Sequence, residues 1–181
     1  IIDSLEAEKD IRFINDAAAF LQGEIFAGNL QHKEKILGIT LGTGLGSAVW
    51  SKGEKAFDAD LWNTPYKDTI FEEFLVTRWL TKRFEELSGK QEDGFKGILT
   101  KYSETAAFDQ LMVEYTDSLN DFLSYFADKH GSNTFILGGN ITNAWDTIKR
   151  YNGEKLAEFE IYTGQYAEKA AIIGAASLFT L

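Results

Sequence analysis

The sequence predicts an α/β domain in which helices flank a mixed sheet. Three observations carry that prediction. Two β-rich runs, 36–41 and 47–50, close around Gly42, Gly44 and Gly46 as a tight hairpin would. A third apolar run, 133–137, leads through Gly138-Gly139-Asn140 into a helical pattern, the strand–turn–helix step of an α/β fold. Stretches with helical apolar spacing at 71–87 and 105–129 supply helices to cover the sheet.

In chain order, residues 4–9 read as the tail of a helix or a turn leading in. Ile11-Arg12-Phe13-Ile14 is a short strand candidate that runs into a helix over 15–24, built from good helix formers behind a polar cap. Asp16 then stands at a strand end and a helix N-terminus, where ligands of α/β sheets gather. Simple capping by Asn15 or Asp16 accounts for the same residues. A polar loop at 28–33 precedes the hairpin. Its glycines permit φ > 0 and let backbone N–H groups converge on a phosphate, with the Thr43 hydroxyl as a further donor. No helix follows the loop and no Lys lies in it, which excludes the dinucleotide and Walker patterns. A hairpin without a ligand fits as well.

Residues 58–67 are irregular and hold the only proline, Pro65. Within them, Asp58-Ala59-Asp60-Leu61-Trp62-Asn63-Thr64 combines carboxylates, an amide and an indole, a set that suits a sugar's hydroxyl rim and C–H face. A surface loop around a buried Trp has the same composition. A helix is expected over 71–87, with Phe71, Leu75, Trp79, Arg83 and Leu87 on one stripe and Gly89 near its C-cap. Residues 91–102 are ambiguous. Ser103 or Thr105 caps a long helix whose Leu111, Tyr115, Leu119, Phe122 and Phe126 form a core stripe, closed by His130-Gly131. After the strand at 133–137 come a helix over 142–151, a strand over 158–162, and a helix over 167–178 whose Gly174-Ala175-Ala176 allows close packing. The turn at Gly138 and Gly139 suits a nucleotide, because small residues admit backbone approach and a helix N-terminus favours anions; a plain βα turn needs no ligand. His32 and His130 have no metal-binding or nucleophilic partners in the sequence.

Composition bounds the function. A chain of 181 residues, 44% hydrophobic, suffices for one well-buried domain, 1–181. A net charge of −10 without a basic cluster argues against nucleic acid and anionic membranes as partners. No run is long enough to span a membrane. The absence of cysteine excludes disulfides and thiolate metal sites and fits a cytoplasmic protein. The start lacks an initiator Met and resembles neither a signal nor a transit peptide, so a fragment is expected.

Taken together, Ile14-Asn15-Asp16-Ala17, Leu41-Gly42-Thr43-Gly44-Leu45-Gly46, Leu137-Gly138-Gly139-Asn140 and Ile173-Gly174-Ala175-Ala176 resemble, in that order, the ROK family of repressors and sugar kinases. The likeness covers almost the whole chain. It implies an RNase H-like domain of the actin-like ATPase superfamily, the C-terminal half of a two-domain protein. It further implies ATP and Mg2+ as cofactors, with a hexose or amino sugar as substrate or effector and a homo-oligomer as assembly.

The resemblance also assigns roles. Asp16 falls at the catalytic base and Asn15 at the neighbouring sugar ligand. Gly42, Thr43, Gly44 and Gly46 fall on a phosphate loop; Gly138, Gly139 and Asn140 fall on the adenosine side. Asp60 and Glu72 fall where the family has sugar-binding Glu residues. Asn63 stands at the position of a family His, and a Cys-free segment, 62–68, replaces the zinc loop, as in a zinc-less branch. No zinc is therefore expected, the loop around Pro65 being held by packing of Trp62 and Tyr66. The family's Asp-x-Gly-Gly-Thr loop is not in this chain. The implied activity is ATP-dependent sugar phosphorylation, glucokinase-like. Alternatives are the sugar-sensing domain of a ROK transcriptional regulator, with its DNA-binding part elsewhere, and a nonenzymatic sugar-binding domain. The fragment alone is expected to be inactive, with apolar surface near the 167–178 helix driving self-association.

Overall fold

The computed structural model describes residues 10–180, so the expected helix tail at 4–9 lies outside the described residues. Five strands form a mixed sheet in the order β3-β2-β1-β6-β7. The strands are β1 (Lys35–Leu41), β2 (Leu45–Ser51), β3 (Phe57–Asp58), β6 (Thr134–Gly138) and β7 (Glu160–Thr163). The hairpin pairs β1 and β2 antiparallel from Lys35↔Ser51 to Leu41↔Leu45. β6 lies parallel to β1 on its other edge, and β7 lies parallel to β6.

Both faces of the sheet are covered, which is why β1 reads as a near-continuous apolar run rather than an alternating one. Leu37, Ile39 and Leu41 point into a core with Phe122, Phe126 and Phe135, roofed by α3 (Thr77–Ser88), α5 (Ala106–His130) and α6 (Trp145–Leu156). Burial of each such side chain is worth roughly 1.5–3 kcal/mol. Ile36, Ala48, Trp50 and Ile136 face the other way, onto α1 (Asp16–Ala27) and α7 (Lys169–Ser177). α1 is buried from Ala17 to Ile25. It lies against α7 so closely that a Cβ at Gly23 would overlap the Ala170 carbonyl, and one at Gly174 the Ala19 carbonyl.

Asn15 caps α1: its Oδ1 accepts the Ala17 N–H at 2.8 Å and the Ala18 N–H at 3.3 Å. Thr105 caps α5, and Gly131, at φ 65, ends it in the left-handed region. The expected α5 stripe is core throughout.

Several expectations are corrected. Residues 11–14 form no strand; both edges of β1 are already taken by β2 and β6, and Phe13 is 79% exposed. Arg12 instead bonds the Leu178 carbonyl and lies 5.0 Å from the Phe179 ring centroid. The single helix expected over 71–87 is two, α2 (Glu72–Leu75) and α3, broken at Val76 with ψ 163. After the break the buried residues are Leu80 and Phe84, not Trp79 and Arg83. The ambiguous 91–102 segment holds α4 (Phe95–Tyr102). A 3-10 turn, Asn140–Ala144, precedes α6, which is interrupted at Asn152. The irregular stretch contains the end of β3 and part of a small hairpin, β4 (Pro65–Tyr66) with β5 (Thr69–Ile70). On the α7 side, Ile172 and Phe179 stand exposed.

Candidate functional site

The β1–β2 turn, the start of α1 and the end of β6 meet at one end of the sheet. They enclose two adjoining cavities that share Asp16, Thr40 and Gly139. The first, about 510 Å³, is also lined by Asn15, Gly42, Thr43, Gly44, Leu45, Gly46, Ser47, Asp58, Trp62 and Glu72. The second, about 380 Å³, adds Phe20, Gly138, Asn140, Thr142, Asn143, Gly164, Ala167, Glu168 and Ala171.

At the centre, Asp16 Oδ1 accepts the Ala17 N–H at 2.8 Å, which fixes the side chain against the first turn of α1. Because the Asn15 oxygen is committed to the cap, that residue offers a ligand its amide N–H groups. The glycine loop is tied down from α2 and α3. Glu72 Oε2 accepts the Leu45 N–H at 3.0 Å; the Thr77 N–H and Oγ1 both donate to the Gly42 carbonyl, at 2.8 and 3.0 Å. This is the reason for the helix break: Thr77 must turn toward the loop while Glu72 enters it from the preceding turn.

The expectation that Gly42, Gly44 and Gly46 turn through positive φ is corrected, since none of them does. Crowding explains one of them: a Cβ at Gly46 would overlap the Thr40 hydroxyl and stand 2.8 Å from the Ala17 Cβ, whereas one at Gly42 or Gly44 would make only an ordinary contact, 3.4 Å from Asn140 Oδ1 or Glu72 Oε2. Gly139 is the one that needs φ > 0, at 90, and a Cβ there would overlap the backbone of Leu41.

Asp60 and Asn63 do not line either cavity. Asp60, at φ 51, receives the Trp62 indole N–H on its Oδ1 at 2.9 Å. Asn63 is exposed and its side chain makes no hydrogen bond among the described residues. Asp58 and Trp62 line the first cavity in their place. Trp62 is 43% exposed, so it is neither the buried Trp of an ordinary loop nor a packing anchor. The loop around Pro65 is held by Tyr66, whose ring stacks on Phe71 at 4.2 Å and whose hydroxyl donates to Asp121 at 2.6 Å. Burial, then the Asp121 bond, pushes that hydroxyl's pKa up to about 12.

Residue-by-residue reading also missed Gly164, Ala167 and Glu168 on the second cavity. The signal was present as a third strand–loop–helix step after 158–162. Their loop hangs on Glu24, a buried carboxylate of α1 whose oxygens accept the Gln165 and Tyr166 N–H groups, each at 2.9 Å. Among the described residues no three His, Cys, Asp or Glu side chains are grouped to hold a metal ion. No helix among them is long and apolar enough to cross a membrane.

No protein-family model and no curated protein matches the chain by sequence. Solved structures do match it in shape. A protein of Cytophaga hutchinsonii assigned as a sugar kinase superposes with a TM-score of 0.77 at 20% identity, over 93% of this chain and 65% of its own. A ROK family glucokinase from Streptomyces griseus, solved with glucose and AMPPNP, gives 0.71 at 20%, over 95% and 69%. A ROK family transcriptional regulator, a homologue of the E. coli Mlc protein, gives 0.72 at 14%, over 90% and 50%. The chain thus spans about two thirds or less of the first structures it resembles. Its fold is the actin-like ATPase fold shared by ROK family sugar kinases and a ROK transcriptional regulator.

Proposed function

We propose that this chain is the C-terminal ATPase-like half of a cytoplasmic sugar kinase that uses ATP to phosphorylate a hydroxyl of a hexose or amino sugar. One observation carries the reading: Asp16 lies on the boundary of two cavities. The first offers carboxylate, amide and indole groups suited to a sugar. The second offers glycines and the 3-10 turn beside them, suited to a nucleotide. A carboxylate between the two has the position a general base needs.

In this reading Asn15 and Glu72 hold the sugar, and Asp16 takes the proton of the hydroxyl as its oxygen attacks the γ-phosphorus. The phosphorus–oxygen bond to the leaving ADP breaks as the new one forms. Gly42, Thr43, Gly44 and Gly46 face the transferred phosphate; Gly138, Gly139 and Asn140 lie along the nucleotide. Positioning and charge neutralisation supply most of the catalysis. Mg2+ in phosphoryl transfer is held largely by the phosphates and water, so it would need no dedicated protein cage, and no three His, Cys, Asp or Glu side chains are grouped to form one among the described residues. When bound, it neutralises phosphate charge. The other phosphate loop, the Asp-x-Gly-Gly-Thr stretch, and the opposite wall of the cleft come from an N-terminal domain outside this chain. Without them the phosphates remain in water, and phosphoryl transfer requires both halves.

The test is Asp16→Asn in the protein carrying both halves. Asn retains an oxygen to accept the Ala17 N–H, so the fold and both KM values stay near those of the parent. Turnover falls by about 10²-fold or more, the worth of a positioned base. Turnover near the parent's overturns the assignment. Sugar binding without any phosphoryl transfer by the parent protein would identify a sensor instead.

A further inference from the structure

The segment 58–64 is built more firmly than a surface loop requires, and it displays one aromatic ring. Leu61 is buried and its N–H donates to Ser47 Oγ at 3.0 Å. The Ala59 N–H donates to the Ser47 carbonyl at 2.9 Å. Asp58 accepts the Asp60 N–H at 2.9 Å, which closes a turn with Asp60 in the left-handed region, a conformation Asp tolerates better than most residues. From there Asp60 Oδ1 takes the Trp62 indole N–H, and the Trp62 carbonyl accepts the Glu72 N–H at 3.2 Å. The ring is therefore fixed at its polar edge by Asp60, and its backbone is fixed to the element that carries Glu72. Among the described residues Trp62 is the only Trp that stands exposed, and it does so on the wall of the Asp16 cavity.

We propose that Trp62 is the stacking platform for the pyranose ring of the substrate, and that Asp60 is a positioning residue that holds the indole rather than a sugar ligand. This rests on the reading of the first cavity as a sugar site. A pyranose carries hydroxyls around its rim and a patch of C–H on its face. Asp16, Asp58 and Glu72 can accept from the rim. None of them can cover the face, which only an apolar surface relieves of water. An indole already locked by its N–H costs little further ordering when the sugar arrives. The locked ring also limits how the sugar tilts toward Asp16, so the platform contributes to which hydroxyl is presented for transfer.

The experiment measures binding of glucose, mannose, glucosamine and N-acetylglucosamine by calorimetry, without nucleotide, to the protein carrying both halves and to its Trp62→Phe, Trp62→Ala and Asp60→Asn variants. Tryptophan emission is followed in parallel. For a sugar that binds the parent, Trp62→Ala binds about tenfold or more weakly, the scale of a truncated aromatic anchor. Trp62→Phe and Asp60→Asn, which keep an aromatic face and an acceptor for the indole, stay within about threefold. The sugar-induced change in emission disappears in both Trp62 variants and persists in Asp60→Asn. Equal affinity of the parent and Trp62→Ala overturns the platform while leaving the kinase reading intact. A loss in Asp60→Asn as large as in Trp62→Ala overturns the positioning role. Failure of the parent to bind any of these sugars overturns the platform together with the sugar-site reading.

Discussion

Replacing Glu24 by Gln isolates what one buried carboxylate does for the second cavity. The residue is only 4% exposed, and its two oxygens accept the Tyr166 and Gln165 N–H groups, each at 2.9 Å. Gln has the same shape but a single oxygen, so no cavity is made and only the hydrogen-bond chemistry changes. One of the two backbone N–H groups then faces an amide donor. A charge-assisted bond is lost and a buried donor is stranded, two views of one event, for a cost of about 2–3 kcal/mol. For a chain of this size that lowers the melting temperature by roughly 4–12 °C. The loop so released carries Gly164, Ala167 and Glu168, which wall the second cavity, the one proposed to take the nucleotide. Urea and thermal unfolding measure the first effect, and titration with a non-hydrolysable ATP analogue against titration with sugar measures the second. Nucleotide affinity falls more than sugar affinity. A melting temperature within about 1 °C of the parent's would refute the hydrogen-bond argument, since even 1 kcal/mol moves it further. A destabilised variant with unaltered nucleotide affinity would refute the role given to the loop.

Other outcomes follow from single contacts. Glu160 receives Lys33 at 2.7 Å and the Tyr162 hydroxyl at 2.6 Å, which lower its pKa from 4.5 to about 2. Its folded-state pKa is depressed, so this contribution is fully present above pH 4.5 and is lost as the pH falls toward 2. Acid titration of stability in Lys33→Met should have a shallower slope over that window, by a small amount because the pair is partly exposed; an unchanged slope counts against the linkage. Gly174→Ala should destabilise by about 1–3 kcal/mol or more in urea, because its methyl meets the Ala19 carbonyl rather than a side chain that can move. A neutral result there would show that α1 and α7 separate freely.

Much of the fold was legible because local chemistry decides it. The apolar run of β1, the five-residue stripe of α5 with its Thr105 cap and Gly131 stop, and the Asn15-Asp16 entry to α1 each depend on neighbours a few positions away. The meeting of Asp16 with the glycine turn and Glu72 was legible only through the order of several motifs, since no one of them announces the others. What the tertiary structure alone decided rests on pairs distant in sequence. Thr77 reaches Gly42 and so breaks a helix that periodicity would continue; Glu72 reaches Leu45; Glu24 reaches Gln165 and Tyr166. Gly46 of the turn is small because of Thr40 and Ala17, not because of its own dihedrals. At 58–64, composition placed carboxylates, amide and indole together but could not say which faces the cavity. That depended on a left-handed turn at Asp60 and a buried Leu61, which carry Trp62 and Asp58 to the cleft and leave Asp60 behind the indole and Asn63 in water. Orientation of this kind follows from burial and from hydrogen bonds closed across the fold, and these exist only once the chain has come together.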